Sequence, residues 1–580
     1  MKIQKIEKVI VQKPFRAGEK RPCLSLTCLA SLIDKLRCYN VPLRNKNERT
    51  LVASSMTQAV SPKEMSRREF LTLCGIGAVA GLLAACGTET PGPTPSPTRQ
   101  PSPTAADWSA LARALQGTLV RPGSPHYPTA RQLFSTRFDT ILPAAIAYCA
   151  SPTDVQTCLA FVRRFGIPFA PRSGGHSYAG YSTTSGLVLD ITRMNAVSVN
   201  ASTGVATIGA GARLIDVYAA LAQHGLVLPA GSCATVGVAG LTMGGGVGVL
   251  GRKFGLTCDT LQAAQVVVAD GRLLTCNANH EPDLFWALRG GGGGNFGVVT
   301  SFTFQAHPVS TLTLFTLRWP WNSATIVVAA WQVWAPSAPD ELWSNCLLVA
   351  TNNKNSYPII QVNGVYIGSP AALNPLLQQL TQRIGVAPIS SYVSGAGLLE
   401  TMLYEANCSD KTVDQCHLPS QNPQGQLQRD TSLAKSDYYI AALPSQGINN
   451  LVNAIARRQA SSTLGEGGIG LDAYGGAINR VAADATAFAH RNALFSAQYS
   501  GNWNPGDPAS VVAANHSWLI NTWQSMRPYA SGAAYQNYID PELTDWQHAY
   551  YGINFPRLQR IKAAYDPNNL FHFAQSIPSA

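Results

Sequence analysis

From about residue 140 to 310 the chain alternates short strand-like and helix-like stretches. Ala144–Cys149 is a compact apolar run, and Ser151-Pro152-Thr153-Asp154 then caps a helix to about Arg164 with Val155, Leu159 and Val162 on one face. Ile167–Pro171 reads as a strand leading into a glycine turn, and Gly186–Ile191 as another. Val197–Val199 and Val205–Ile208 flank Asn200-Ala201-Ser202-Thr203-Gly204, a hairpin signature. Leu214–His224 has helical spacing, and Leu261–Ala269 is a buried strand closed by the Asp270-Gly271 turn. From about 311 to 505 the strands lengthen (Leu312–Trp319, Leu347–Ala350, Ile359–Ile367) and mix with helices such as Pro370–Gln382. This stretch predicts a second domain forming a roof over the first. The tail, 506–580, holds a helix over Pro508–Met526 and a final Pro567–Ile577 segment. No internal repeat of fixed period is present, and the class is α+β.

The first hundred residues follow other rules. Ser66-Arg67-Arg68-Glu69-Phe70-Leu71 is a twin-arginine pattern, followed by an apolar run, Leu71–Ala85, rich in Gly and Ala. That run falls short of the roughly 20 apolar residues a bilayer crossing needs, but a charged start, a short apolar middle and small residues at the end describe an export signal. Leu83-Ala84-Ala85-Cys86 resembles a bacterial lipobox, in which Cys86 is lipidated and becomes the mature N-terminus. Residues 65–86 are therefore read as the signal. Residues 1–64 precede a signal that has its own Met65, and are expected to be a start-site misassignment or disordered. Residues 87–106 are rich in Pro, Thr and Ser and form an extended spacer. The folded body is expected to begin near Asp107.

Charge changes the picture only at first sight. The formal charge of the whole chain is +11, but residues 1–64 contribute +8 and 65–86 another +1, leaving +2 for the rest. The near-neutral body lacks an electrostatic footprint for nucleic acid. Hydrophobic residues make up 46% and charged residues 13%, as in a packed globular chain. Thirteen cysteines are present, eight of them after the signal, where an exported chain can form disulfides. Cys408 with Cys416 is the first expected pair and Cys149 with Cys158 the second. No Cys or His cluster has the spacing of a metal site, and none is expected.

Three glycine-rich segments carry the candidate chemistry. They are Pro171-Arg172-Ser173-Gly174-Gly175-His176-Ser177; Gly231 through Gly248, with Cys233, Thr235, Val236, Gly237, Gly240, Gly244, Gly245, Gly246 and Gly248; and Leu288 through Gly297. Glycine lets a backbone approach a ligand closely, and successive N–H groups in such turns form anion-binding concavities. Three in one domain point to a pyrophosphate gripped by main chain. Gly209-Ala210-Gly211 is not followed by the glycine of a Rossmann fingerprint, which disfavours a nicotinamide site.

Those segments resemble the berberine-bridge-enzyme-like flavoprotein oxidases of the vanillyl-alcohol-oxidase superfamily. Arg-Ser-Gly-Gly-His matches the motif of the flavin-linking histidine, here His176, and Gly-x-Cys-x-Thr-Val-Gly-Val that of a second, cysteinyl link, here Cys233. Arg252-Lys253-Phe254-Gly255-Leu256, Tyr551-Gly552-Ile553-Asn554 through Asp566-Pro567-Asn568-Asn569, and Gln575-Ser576-Ile577-Pro578 also match. The resemblance spans about 107 to 580. It implies a two-part FAD-binding domain (107–310, with 506–580 returning to it) and a mixed α/β substrate domain with an antiparallel sheet (311–505). It implies FAD bonded to His176 and Cys233, with Arg172, Ser173, Gly174, Gly175, Ser177, the 235–248 loop, Val298, Tyr551 and Asn554 around it.

The resemblance also places catalytic groups. Tyr535-Gln536-Asn537-Tyr538 is similar to a Tyr-x-Asn-Tyr segment that supplies the active-site base: Tyr538 first, Tyr535 next. Asp472 and Tyr474 resemble an assisting pair, and Gln498 lies where other members place a glutamate or glutamine. Val236, three residues after Cys233, stands at a position that gates oxygen, where valine is permissive. The expectation is an oxidase that removes hydride from an alcohol carbon, with a sugar or oligosaccharide as leading substrate and O2 as acceptor. It is expected to be exported and held at the membrane only through a lipid on Cys86. A dehydrogenase or secondary-metabolite oxidase using the same site remains open, as does a non-catalytic exported binding protein.

Overall fold

The computed structural model describes residues 101–579. The export signal, Cys86 and most of the spacer lie outside them. The body starts slightly before the expected Asp107: helix α1 (Ala105–Ala114) is capped by Thr104, whose hydroxyl accepts from Asp107 N–H while the Asp107 carboxylate accepts from Thr104 N–H.

Two sheets build the first part. Strands β1 (Thr118–Val120), β2 (Ala145–Tyr148), β3 (Phe169–Arg172) and β4 (Leu187–Asp190) form one in the order β1-β2-β4-β3. β1 pairs with β2 antiparallel, and the β2–β4 and β4–β3 pairings are parallel, with helix α2 (Pro152–Phe165) providing the crossover between β2 and β3. Ser151 caps α2, as its sequence predicts. Strands β5 (Val197–Asn200), β6 (Val205–Gly209), β8 (Leu261–Val267), β9 (Leu273–Asn277) and β10 (Val298–Gln305) form an antiparallel sheet, β5-β6-β10-β8-β9. The expected β5–β6 hairpin forms, and the turn expected at Asp270-Gly271 leads into β9, which pairs antiparallel with β8. A short pair joins β7 (Leu226–Val227) to β11 (His307–Pro308). One core, from Trp108 to Ile577, runs beneath these elements and draws in Leu558 and Phe571 from the C-terminal segment.

The second part is a seven-stranded antiparallel sheet. It contains β12 (Leu312–Trp319), β13 (Leu342–Ala350), β14 (Ile359–Ile367), β15 (Ser390–Ala396), β16 (Ser432–Tyr439), β17 (Gly467–Ala473) and β18 (Phe495–Asn502), ordered β15-β12-β14-β13-β17-β18-β16. Strand residues alternate between faces, and the two faces differ in chemistry. Phe315, Leu317, Val362, Leu348, Leu471 and Ala497 point into a helix-covered core. Thr316, Asn363, Asn345, Asp472 and Ser496 lie side by side in register, forming one polar row on the opposite face. Arg318, Gln361 and Gln498 sit one row along. The helix Ala509–Met526, read from sequence as opening the C-terminal segment, packs on the helix side of this sheet through Trp518, Leu519 and Met526. Among the described residues no helix is long and apolar enough to cross a membrane.

Candidate active site

The His176 loop leaves the end of β3, where Arg172 is fixed. Arg172 and Asp190 are register partners on β3 and β4, and Arg172 Nε lies 2.6 Å from an Asp190 carboxylate oxygen; Arg172 Nη2 donates to Ala130 O at 2.7 Å. Both side chains are buried, so Arg172 anchors the loop from behind. Gly174 and Gly237 then press together backbone to backbone: a Cβ on Gly174 would stand 2.1 Å from Gly237 N. Only glycine at both places lets the two loops meet. Beyond that contact His176 Nε2 bonds Thr235 Oγ1 at 2.8 Å, and its ring stacks on Phe134 at 4.1 Å. Burial, with the nearby Arg213 charge adding to it, pushes the imidazole pKa down to about 3. The ring is therefore neutral and keeps a nucleophilic nitrogen.

Thr235 is two residues from Cys233, so the His176–Thr235 bond brings together the two loops that carry the expected linking residues. Helix α3 (Leu214–Ala222) steadies the Cys233 loop with N–H groups left over at its start: Leu214 N donates to Val236 O at 3.0 Å and Ile215 N to Ala234 O at 3.1 Å. Cys233 itself is half-buried. Cys408 and Cys416 form the expected disulfide, and it packs with Ile215 and Ala234 behind the same loop. The second expected pair is not bonded. Cys149 and Cys158 are buried with their sulfurs 4.0 Å apart, because one lies at the end of β2 and the other inside α2, each fixed by its own element.

The cleft fits a dinucleotide on its own terms. Among the described residues, the N–H groups of Gly174, Gly175, His176 and Ser177 have no acceptor in the protein. Ser173 Oγ is turned away, donating to Ala210 O at 2.8 Å. Such a run of unspent donors suits a pyrophosphate. A Cβ on the exposed Gly240 would meet nothing within 4 Å. Other expected cofactor residues hold the walls. Gly290 N and Gly292 N donate to Met243 O at 3.0 and 2.8 Å, and Tyr551 OH donates to Gly291 O at 3.2 Å. The Asn554 amide spends itself on Ala483 O, Thr486 O and Ala487 O, and Val298 is buried at the start of β10. Gly244, Gly245, Gly246 and Gly248 are buried in a loop under Tyr535.

The structure gives the three candidate tyrosines different surroundings. Tyr535 is buried, and its phenolic oxygen faces three donors: Gly246 N and Val247 N, each at 3.1 Å, and Asn537 Nδ2 at 2.9 Å. Burial pushes its pKa up to about 12, with these bonds pulling the other way. Tyr535 thus clamps the glycine loop. Tyr474 is fully buried, its hydroxyl 3.0 Å from that of Tyr438, one layer behind the cleft. Tyr538 alone of the three is half-buried; its ring stands edge-on to Tyr535 at 4.9 Å and stacks on Tyr178 at 5.6 Å. Gln498 Nε2 donates to the Tyr178 hydroxyl at 3.1 Å. Burial raises the Tyr538 pKa well above its ordinary value, and the Asp472 charge adds to this.

Asp472 receives a hydrogen bond from Asn345, whose Oδ1 in turn accepts from Asn363 Nδ2 at 3.1 Å. Burial still pushes the Asp472 carboxyl up to about 7. Sequence reasoning missed Tyr178, Asn345 and the buried Glu405. Tyr178 follows the His176 motif directly, which was a usable signal. The other two are ordinary residues on a strand and a helix until register places them.

The fold and this cleft define a flavin-dependent oxidoreductase, and comparison with known proteins agrees. Residues 143–277 match the FAD binding domain family, and 534–578 match the family described as berberine and berberine like. A FAD-linked oxidoreductase of Bacillus subtilis (strain 168), YgaK, is 35% identical over 470 residues, covering 80% of this chain and 97% of its own. The structure of Physcomitrella patens BBE-like 1 superposes with a TM-score of 0.73 at 32% identity, over 82% of this chain and 99% of that one. Xylooligosaccharide oxidase from Myceliophthora thermophila C1, solved with xylobiose, gives 0.71 at 27% identity, over 82% and 99%. A grass pollen allergen, Phl p 4, described as having glucose dehydrogenase activity, gives 0.72 at 27% identity over 82% and 100%; its isoleucine-to-valine variant is described as a glucose oxidase. The chain belongs to the berberine-bridge-enzyme-like family of FAD-linked oxidoreductases.

Proposed function

We propose that this protein is an oxidase that removes hydride from an alcohol carbon of a sugar or oligosaccharide, carrying FAD bonded to both His176 and Cys233. The observation that carries the reading is the meeting of the His176 and Cys233 loops through the His176–Thr235 bond, with Tyr178, two residues beyond His176, bonded to Gln498 of a polar sheet face that also carries Asn345, Asn363 and the half-buried Asp472. Bound FAD supplies the hydride acceptor and, by passing both electrons to O2, the release of hydrogen peroxide. The chain supplies the rest. Neutral His176 and Cys233 hold the ring system, and the unspent N–H groups of 174–177 hold the pyrophosphate. Tyr538, the tyrosine that opens to the cleft, takes the substrate hydroxyl proton. Gln498 and Tyr178 fix the Tyr538 ring from one side.

The polar row favours a hydroxyl-rich donor over an aromatic alcohol, and similar solved structures act on sugars by their own descriptions. Val236 favours O2 as acceptor, in line with the valine variant of the pollen allergen. The twin-arginine pattern and Cys86 support export and a lipid anchor as the chain's address.

A panel of sugars and alcohols, read by bleaching of the flavin without oxygen and by peroxide under air, tests the activity. Bleaching with peroxide supports an oxidase. Bleaching that needs an added dye for turnover makes the protein a dehydrogenase, and a colourless purified protein ends the reading.

A further inference from the structure

The segment that follows the disulfide folds against the stretch before the His176 motif and leaves a cleft of about 380 Å³ between them. One wall comes from residues 418–429, which hold their own shape. Leu427 N donates to His417 O and Gln426 N to Gln415 O, both at 2.9 Å, and a Cβ on Gly425 would stand 2.4 Å from Leu418 O. The other wall, residues 129–136, is pinned to the first. Arg429 Nε donates to Leu133 O at 2.7 Å and its Nη1 to Asp139 Oδ2 at 2.9 Å, while Thr136 N donates to Asp430 O at 2.9 Å. Both walls are therefore set before any ligand arrives. Of the residues that line the cleft, Thr129, Gln132, Ser420 and Gln428 spend no side-chain donor or acceptor on the described residues.

We propose that this cleft is an outer carbohydrate subsite, holding neutral sugar units at the far end of an oligosaccharide whose reacting end lies at the flavin. It deepens the oxidase reading and rests on it for the reacting end alone. The chemistry of the walls selects the ligand. Arg429, the charged residue of the lining, is matched by Asp139, so no free cation is left for a phosphate or carboxylate. Among the described residues no aromatic side chain lines the cleft, so a flat ring has nothing to stack on. Two primary amides, each both donor and acceptor, and two hydroxyls suit a run of sugar hydroxyls. Pro419 and Pro505 offer apolar surface to the C–H face of a pyranose. The volume is at the small end of ligand-binding clefts, so it takes a terminus rather than a whole chain. Placement sets the distance to the flavin. Phe134, on the pinned stretch, stacks on His176, and Arg137 Nη1 donates to Tyr178 O and Ser432 O at 3.4 and 3.3 Å. Ser432 opens β16, and Ser436, the register partner of Gln498, stands about 14 Å further along the extended strand. A single sugar at the flavin does not span that distance; a chain of several does.

The test uses the flavin-loaded protein and neutral oligosaccharide ladders of the cello, xylo and malto series, from disaccharide to hexasaccharide. The variant is Gln132→Ala with Gln428→Ala. Gln428 is exposed and Gln132 half-buried, so the variant should match the parent in flavin content. Calorimetry is run under nitrogen with the flavin already reduced, so that no turnover occurs. The parent should bind long members more tightly than the disaccharide. The variant should lose about tenfold for the long members only, the worth of two neutral hydrogen bonds. Peroxide formation under air should show KM for long donors raised by the same factor, with kcat and the disaccharide KM unchanged. A loss equal at every length, or no loss, overturns the subsite, and so does a parent that binds no member of any ladder. A binding loss with an unchanged KM for long donors also overturns it, because the cleft then holds a chain other than the substrate. If no sugar bleaches the flavin, the oxidase reading falls and binding alone judges the cleft: a length-dependent loss in the variant upholds it, and its absence overturns it.

Discussion

Tyr178 and Tyr538 stack with ring centroids 5.6 Å apart and planes 10° from parallel. Because Tyr178 also accepts from Gln498, the stack ties a sheet residue, a loop residue and the proposed base into one unit. Tyr538→Phe keeps the ring and loses the proton acceptor. Flavin reduction should slow by about 100- to 10,000-fold, the usual worth of a general base. Tyr178→Phe keeps the stack and leaves Gln498 without its acceptor, for a loss of about tenfold, from misplacement rather than lost chemistry. Rapid-mixing spectroscopy under nitrogen reads both, and a Tyr538→Phe protein reduced at the parent's rate removes Tyr538 as base.

The proposed flavin links at His176 and Cys233 can be separated by mass. Each residue sits on its own loop, and the two loops touch at Gly174 and Gly237. His176→Ala and Cys233→Ala should each keep flavin attached after denaturation through the remaining link. The double variant should release it. Intact-protein mass spectrometry decides, since a bare polypeptide mass for either single variant rules out independent links.

These two predictions also mark what the sequence could say. His176 and Cys233 were legible because both sit in glycine runs whose spacing is strictly local, and the β5–β6 hairpin and the α2 cap were legible for the same reason. Tyr538 was placed ahead of Tyr535 by its motif alone; the physical difference was not legible, because it lies in what meets each residue: the Tyr535 hydroxyl accepts from backbone N–H groups 288 and 289 residues away, whereas Tyr538 is left half-buried. Glu405 was invisible. On a short helix an acid reads as a solvated residue, and its burial becomes visible only in the folded chain. Arg172 was drawn into the cofactor set by its motif, whereas its partners lie on β4 and at Ala130.

The disulfide loop should be pH-sensitive. His417, next to Cys416, lies 3.1 Å from a carboxylate oxygen of Asp216 on α3. Burial pulls the His417 pKa down, but the Asp216 bond and charge, with the Val413 carbonyl, outweigh it and leave it raised. A raised folded value means the charged pair stabilises the fold fully below the unfolded histidine pKa of roughly 6.5 and is lost as pH climbs through the folded value. The parent should therefore exceed Asp216→Asn in Tm by more at pH 5.5 than at pH 8.5. An equal gap at both pH values excludes the pair as the cause.

Glu405 makes the opposite stability prediction. Its folded carboxyl is raised to about 7, so the folded state binds the proton more tightly than the unfolded chain. Its burial costs nothing well below the unfolded carboxyl pKa, and a penalty grows as pH rises to the folded value. Glu405→Gln should be close to neutral at pH 5 and should raise Tm by several degrees at pH 8. Differential scanning calorimetry at the two pH values checks the sign.

Arg172 and Asp190 supply a test that separates scaffold from cofactor contact. The pair is buried, its Nε–Oδ2 distance is 2.6 Å, and one further guanidinium nitrogen, Nη1, has no partner. Removing one charge strands the other in a dry interior, at a cost of about 3 to 5 kcal/mol. Replacing both with apolar side chains of similar volume strands neither. Arg172→Met and Asp190→Asn should each lower stability in urea by that amount, and Arg172→Met with Asp190→Leu should recover much of it. Flavin attachment should follow stability through the set, because both residues hold β3 and β4 together behind the His176 loop. If the double variant regains stability but binds no flavin, Arg172 contacts the cofactor directly and its placement as an anchor is wrong.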